Sequence, residues 1–98
     1  MRDQQILEQV KSTLALLTAK APGRAIEVRI PPYAAVQCGD GPTHTRGTPP
    51  NTIEMNAETG LALATGKLSW PDAMSSGAIA ASGVRADLTE YLPLGSEL

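Results

Sequence analysis

The sequence predicts an α+β fold with helices laid on a sheet, and three observations carry that prediction. Apolar residues recur at helical spacing through the first twenty positions, and they alternate with period two from Ala25 to Ile30. The rest of the 98 residues divides into short segments punctuated by Gly and Pro. A helix-on-sheet layer is the architecture that buries an apolar helix stripe against an apolar strand face.

The elements follow in order. Ile6, Val10, Leu14 and Leu17 stand at i, i+4, i+8 and i+11 with Leu7 beside them, so they share one helical face. Asp3 is the expected N-cap, and Pro22 with Gly23 stops the helix. In "AIEVRI", Ile26, Val28 and Ile30 oppose Glu27 and Arg29, the pattern of a strand with one wet face. Pro31 and Pro32 lack backbone donors and belong at a strand end, a bulge or an edge. "YAAVQC" is extended again, either continuing that strand past a bulge or starting a second one. Six of the thirteen residues from Gly39 to Asn51 are Gly or Pro, which makes this stretch a loop. "TIEM" at 52–55 reads as a strand. Asn56 then caps a helix that closes at Gly66, and Ser69 with Asp72 forms a near-capping box around Pro71 for another that ends at Gly77. "AIAASG" reads as the last strand, and Asp87 to Leu92 as a closing helical turn or two, capped by Asp87 and stopped by Pro93.

The length suits one domain over residues 1–98 with one modest core: a helix to residue 21, strands and a Pro/Gly-rich loop over 25–55, and helices, strand and closing helix over 56–94. Of the apolar residues 14 are Ala, none is Phe, and only Tyr33, Tyr91 and Trp70 are aromatic, so the core rests on Leu, Ile and Val. A net charge of −2 provides no field to attract nucleic acid or an anionic membrane surface. No apolar run approaches the roughly 20 residues of a membrane span. The lone Cys38 has no internal disulfide partner, and no basic segment followed by an apolar stretch opens the chain, so a cytoplasmic location is expected.

Residues 64–94, "ATGKLSWPDAMSSGAIAASGVRADLTEYLPL", resemble the C-terminal part of sterol-carrier-protein-like domains, where a short helix ends at a glycine, another leads into G-x-I/L-x-x-x-G, and a leucine-rich helix closes the fold. Residues 21–51, "APGRAIEVRIPPYAAVQCGDGPTHTRGTPPN", resemble a narrower actinobacterial branch, the bacterial sterol-carrier orthologues, which are similar in turn to the C-terminal domain of mycothiol-dependent maleylpyruvate isomerases. The resemblance implies an antiparallel or mixed sheet of about four to five strands covered by helices on one face, with an apolar tunnel between the layers.

For chemistry, Cys38 and His44 form the only nucleophile–base pair to weigh, and a free cysteine is more often a small buried apolar group. One His, one Cys and Asp40 do not make a metal site. "CGDG" lacks the lysine and strand-to-helix setting of a phosphate loop, and the carboxylates are not paired for acid/base work. No catalytic residue, metal or cofactor is therefore expected. His44, Thr45 and Arg46 make a polar cluster able to contact an anionic ligand or a partner, against the alternative that Arg46 pairs with Glu54 or Asp40 while the threonines tie down the loop. Leu61, Leu63, Leu68, Met74, Ile79, Leu88 and Leu92 are core residues by spacing and, given the resemblance, candidates to line an apolar cavity of a few hundred Å3. Trp70 is counted with that lining and is expected to serve first as a packing anchor over the sheet.

Two functions are thus expected from the resemblance. One is a non-enzymatic carrier of a lipid or other apolar small molecule. The other is an accessory or dimerisation module, related to the isomerase domain, that meets a partner or cofactor through the His44–Arg46 loop. An exposed sheet face or edge on so small a domain invites pairing, so a homodimer is among the expected partners.

Overall fold

The computed structural model describes residues 3–41 and 51–94. Helix α1 (Gln4–Lys20) leads into strand β1 (Ile26–Ile30) and strand β2 (Ala34–Cys38). Strand β3 (Asn51–Met55), helices α2 (Ala57–Thr65) and α3 (Trp70–Ser75), strand β4 (Ile79–Ser82) and a 3-10 turn (Thr89–Tyr91) follow. The four strands form one mixed sheet in the order β2-β1-β3-β4.

"YAAVQC" proves to be a second strand. The Ile30 carbonyl accepts from Tyr33 N at 2.9 Å across Pro31–Pro32, and β2 returns antiparallel to β1 with Val28 opposite Val36. β3 lies parallel to β1 on its other side, with Ile53 opposite Val28, and β4 is antiparallel to β3. The chain between β2 and β3 therefore starts and finishes at one end of the sheet, because Cys38 and Asn51 both stand opposite Ile26.

Alternation decides the two faces of the sheet. Ile26, Val28, Ile30, Cys38, Ile53, Met55 and Ile79 are buried on the inner face, while Ala35, Gln37, Glu54 and Ala80 are exposed on the other. Glu27 and Arg29 share that outer face and pair at 3.2 Å, an arrangement worth little in stability at this exposure. The buried side chains of α1, Val10, Thr13, Leu14 and Leu17, agree with the sequence stripe except for Thr13, a polar residue at a core position. Asp3 caps α1, its carboxylate accepting from Gln5 N at 2.8 Å and Ile6 N at 3.2 Å. Asn56 and Ser69 cap α2 and α3 in the same way. The closing element is shorter than expected. It is a single 3-10 turn, and Asp87 ties its start by accepting from Thr89 N at 2.8 Å. Pro93 stops the turn, since a proline cannot continue a helix and disfavours helical backbone at the preceding Leu92.

Two residues control how the layers meet. Gly60 faces the sheet from the middle of α2, where an added Cβ would lie 2.9 Å from Ile30 Cδ1 and 3.5 Å from Met55 Sδ. α2 consequently rests close to the sheet, and a larger residue here would require the tip of Ile30 to shift. Asn51, 2% exposed, opens β3. Its Nδ2 donates to the Ala25 carbonyl at 2.8 Å and its Oδ1 accepts from Arg85 N at 2.8 Å, which joins the entry to β1, the start of β3 and the segment after β4.

Asn51→Ala should lower the unfolding free energy by about 2–3 kcal/mol, because a buried carbonyl and a part-buried amide lose their partner. Urea denaturation at neutral pH checks this. Gly60→Ala should destabilise by about 1–2 kcal/mol, the crowding against Ile30 outweighing the roughly 1 kcal/mol gained in helix propensity. A gain in stability would show that α2 can shift outward at little cost.

Candidate functional site

The interlayer space is closed. Between α1, α2, the sheet and the C-terminal segment remains a void of about 20 Å3, bounded by Leu14, Leu17, Val28, Met55, Leu63 and Leu88 among others. The expected cavity of a few hundred Å3 is therefore absent from this space, and Gly60 supplies the reason, since it lets α2 settle onto Ile30 and Met55. A surface groove of about 240 Å3 lies on the other side of Leu63 and Leu92, with Leu68, Trp70, Pro71 and Pro93 in its walls. Leu63 and Leu92 line both spaces, so these two side chains are the partition between groove and core.

The structure thus divides the eight apolar residues singled out in the sequence. Leu63, Leu68, Trp70 and Leu92 meet in the groove, and Leu63, Leu88 and Leu92 meet at the void. Ile79 is buried opposite Met55 as the first residue of β4. Leu61 lies one position beyond the inward Gly60, so it is turned toward α1. Met74 is 42% exposed, because Trp70 and Ala73, at i and i+3, take the inward face of the six-residue α3 and rotate Met74 away. Trp70 is both a core residue, 7% exposed, and a wall of the groove.

The wall most easily displaced is the C-terminal one. Among the described residues, two hydrogen bonds tie 88–94 to the helices: Leu94 N donates to Ala64 O at 2.8 Å and Lys20 Nζ to Pro93 O at 3.1 Å. Leu92 and Leu94 are only partly buried, and the segment has one 3-10 turn in place of a packed helix. A segment with so few hydrogen bonds belongs to the low-stability end of a fold.

His44, Thr45 and Arg46 lie outside the described residues. Near where that connection leaves the sheet, a polar cleft of about 370 Å3 is bordered by Asp40, Arg85, Asp87 and Tyr91, and Arg85 Nη1 donates to the Asp40 carbonyl at 3.5 Å. Cys38 is fully buried, and burial pushes its thiol up to about 11. A protonated thiol inside the core is a poor nucleophile.

The profile of a family described as bacterial SCP ortholog matches residues 2–94. The chain belongs to that family. Among solved structures it is similar to sterol carrier protein 2 like 2 from Aedes aegypti, at 20% identity, with 92% of each chain covered and a TM-score of 0.44. No curated protein matches the chain. Sequence reasoning missed Asn51 and Thr13, two buried polar residues of this bacterial SCP ortholog. The helical stripe was the available signal for Thr13, which falls beside Leu14 on the face shared by Val10 and Leu17.

Cys38 makes stability depend on alkaline pH. Its folded-state pKa is raised, so the stabilisation is fully present below the ordinary thiol value near 9.0 and is lost as pH rises toward about 11. The unfolding free energy of the wild type should fall by about 2 kcal/mol more than that of Cys38→Ala between pH 8 and 11. Parallel urea titrations across that range check it, and identical slopes would show the thiol to be open to solvent.

Proposed function

We propose that this member of the bacterial SCP ortholog family is a small carrier domain that holds a lipid or other apolar small molecule without transforming it. The observation that carries this reading is the Leu63–Leu92 partition. It separates a mainly apolar groove open to solvent, with Ser69 and Thr89 at its walls, from an apolar interlayer space, and it is formed partly by a segment with few hydrogen bonds to the helices. Moving Leu92 outward with its segment joins the two spaces, and an apolar chain in the groove replaces the contacts that Leu92 gives up. Ligand pockets usually occupy roughly 300 Å3 or more, so loading has to enlarge the interlayer void of about 20 Å3 by moving side chains outward. Family membership supports the same reading, carriage being the role implied by the sterol-carrier resemblance.

The reading assigns no acid–base or nucleophilic role to the site. Leu63, Leu68, Trp70 and Leu92 provide contact area, and Trp70 provides an optical signal from within the wall.

Native mass spectrometry of protein purified without denaturant should show a co-purifying lipid. Delipidated protein titrated with a fluorescent fatty acid should bind saturably in the micromolar range, with a change in Trp70 emission. Leu92→Glu should weaken that binding about tenfold or more, since it places a carboxylate in the path of the apolar chain. Absence of saturable binding of both fatty-acid and sterol probes would remove the carrier assignment.

A further inference from the structure

A second groove, of about 490 Å3, runs between α1 and α2 on the outside of the helical layer. Its α2 side is built from Glu58, Leu61, Ala62 and Thr65, spaced i, i+3, i+4 and i+7, which is one helical stripe. Glu8, Gln9, Ser12 and Thr13 face it from α1, and Lys67 stands beyond the far end of α2. Glu58 and Thr65 are seven residues apart on α2, so this wall is about 10 Å long at the helical rise per residue.

The hydrogen-bonding character of these groups is specific. Thr13 is 5% exposed, and its Oγ1 has no hydrogen-bond partner among the described residues. In a helix such a hydroxyl usually bonds a carbonyl of the preceding turn, and an orphaned buried hydroxyl costs about 1–3 kcal/mol. Thr65 spends its proton on the Leu61 carbonyl at 3.0 Å, which leaves only lone pairs for a ligand. The Glu8 and Glu58 carboxylates accept hydrogen bonds, and Glu8 already accepts from Gln4 Nε2 at 3.1 Å on one oxygen. The groove therefore offers two carboxylates and several hydroxyl and amide oxygens over an aliphatic floor of Leu61 and Ala62, against donors on Lys67, Gln9 and Ser12, so acceptors outnumber donors and carboxylates outnumber ammonium groups two to one.

We propose that the α1–α2 groove is a second binding site, distinct from the Leu63–Leu92 partition, for an amphipathic primary amine. The ammonium is held by the carboxylates and the hydroxyl of Thr13, and the aliphatic chain lies on Leu61. An ammonium has three donors and no acceptor, which matches an acceptor-rich groove and satisfies the orphaned hydroxyl. A carboxylate of the same length would meet Glu8 and Glu58 with like charge, and an alcohol would gain no charge-assisted bond.

The test uses n-octylammonium, octanoate and octanol as probes of the full chain by isothermal titration calorimetry and amide chemical shifts. Octylammonium should bind saturably, with shifts centred on Ser12, Thr13, Leu61 and Ala62, and its affinity should weaken severalfold between 20 and 200 mM salt. Thr13→Val, which keeps the side-chain shape, should weaken octylammonium binding about fivefold to tenfold while leaving the urea midpoint unchanged or higher. Glu58→Gln, at an exposed position that lines this groove and not the core void, should also weaken it severalfold and separates this site from the partition. Octanoate or octanol binding as tightly as the amine, shifts confined to Leu63, Trp70 and Leu92, or octylammonium affinity unmoved by both Thr13→Val and Glu58→Gln would each overturn the assignment.

Discussion

The amide of Asn51 is the interaction on which the sheet depends. One buried side chain binds the last carbonyl before β1 and the backbone amide of Arg85, so three segments distant in sequence meet at one sheet end. A parallel β1–β3 pair has no hairpin to set its register, and here the end of that pair is fixed by a side chain instead. The same bond anchors the start of the C-terminal segment, which then crosses to the helices and supplies Leu88 and Leu92 to the core boundary.

From that anchored end the layers close by size. Gly60 removes the side chain that would hold α2 away from Ile30, and alanines at 57, 64 and 73 keep the buried helix faces small. The result is a core almost without void, and close-packed interiors of this kind gain dispersion contacts that an open tunnel would forfeit. Any apolar ligand must therefore displace protein side chains. Displacement costs least where hydrogen bonding is thinnest, at residues 88–94, which links the economy of the core to the proposed route of loading.

Polar groups define the molecule's boundaries as much as apolar ones define its interior. Cys38 is neutral in the core, Glu27 and Arg29 face water on the open side of the sheet, and Asp3, Asn56 and Ser69 satisfy helix amides that would otherwise be bare. Thr13 departs from this pattern. Between the outer groove and the interlayer void, its Oγ1 has no partner among the described residues where helices α1 and α2 meet.

The local elements were legible in the sequence because their signals are local. The α1 stripe, the alternation of β1, the caps at Asp3, Asn56 and Ser69 and the stop at Gly66 depend on residues within a turn or two of each other, and each appears where the sequence puts it. The resemblance carried by residues 21–51, beside the more general one of residues 64–94, likewise led to the family to which the chain belongs. Pairing was not legible, since nothing near Tyr33 states that β2 turns back or that β3 runs parallel to β1. Nor was the division of the apolar residues. Leu61, Leu63 and Met74 have similar character in sequence, but helix rotation and the close seating of α2 at Gly60 send one to an outer groove, one to the core boundary and one to solvent. Sequence determined which segments are helix and strand, because hydrogen bonding and capping act over a few residues. Only the tertiary structure decided what volume remains between the layers and which side chains border it, because that volume is the small difference left when whole faces pack.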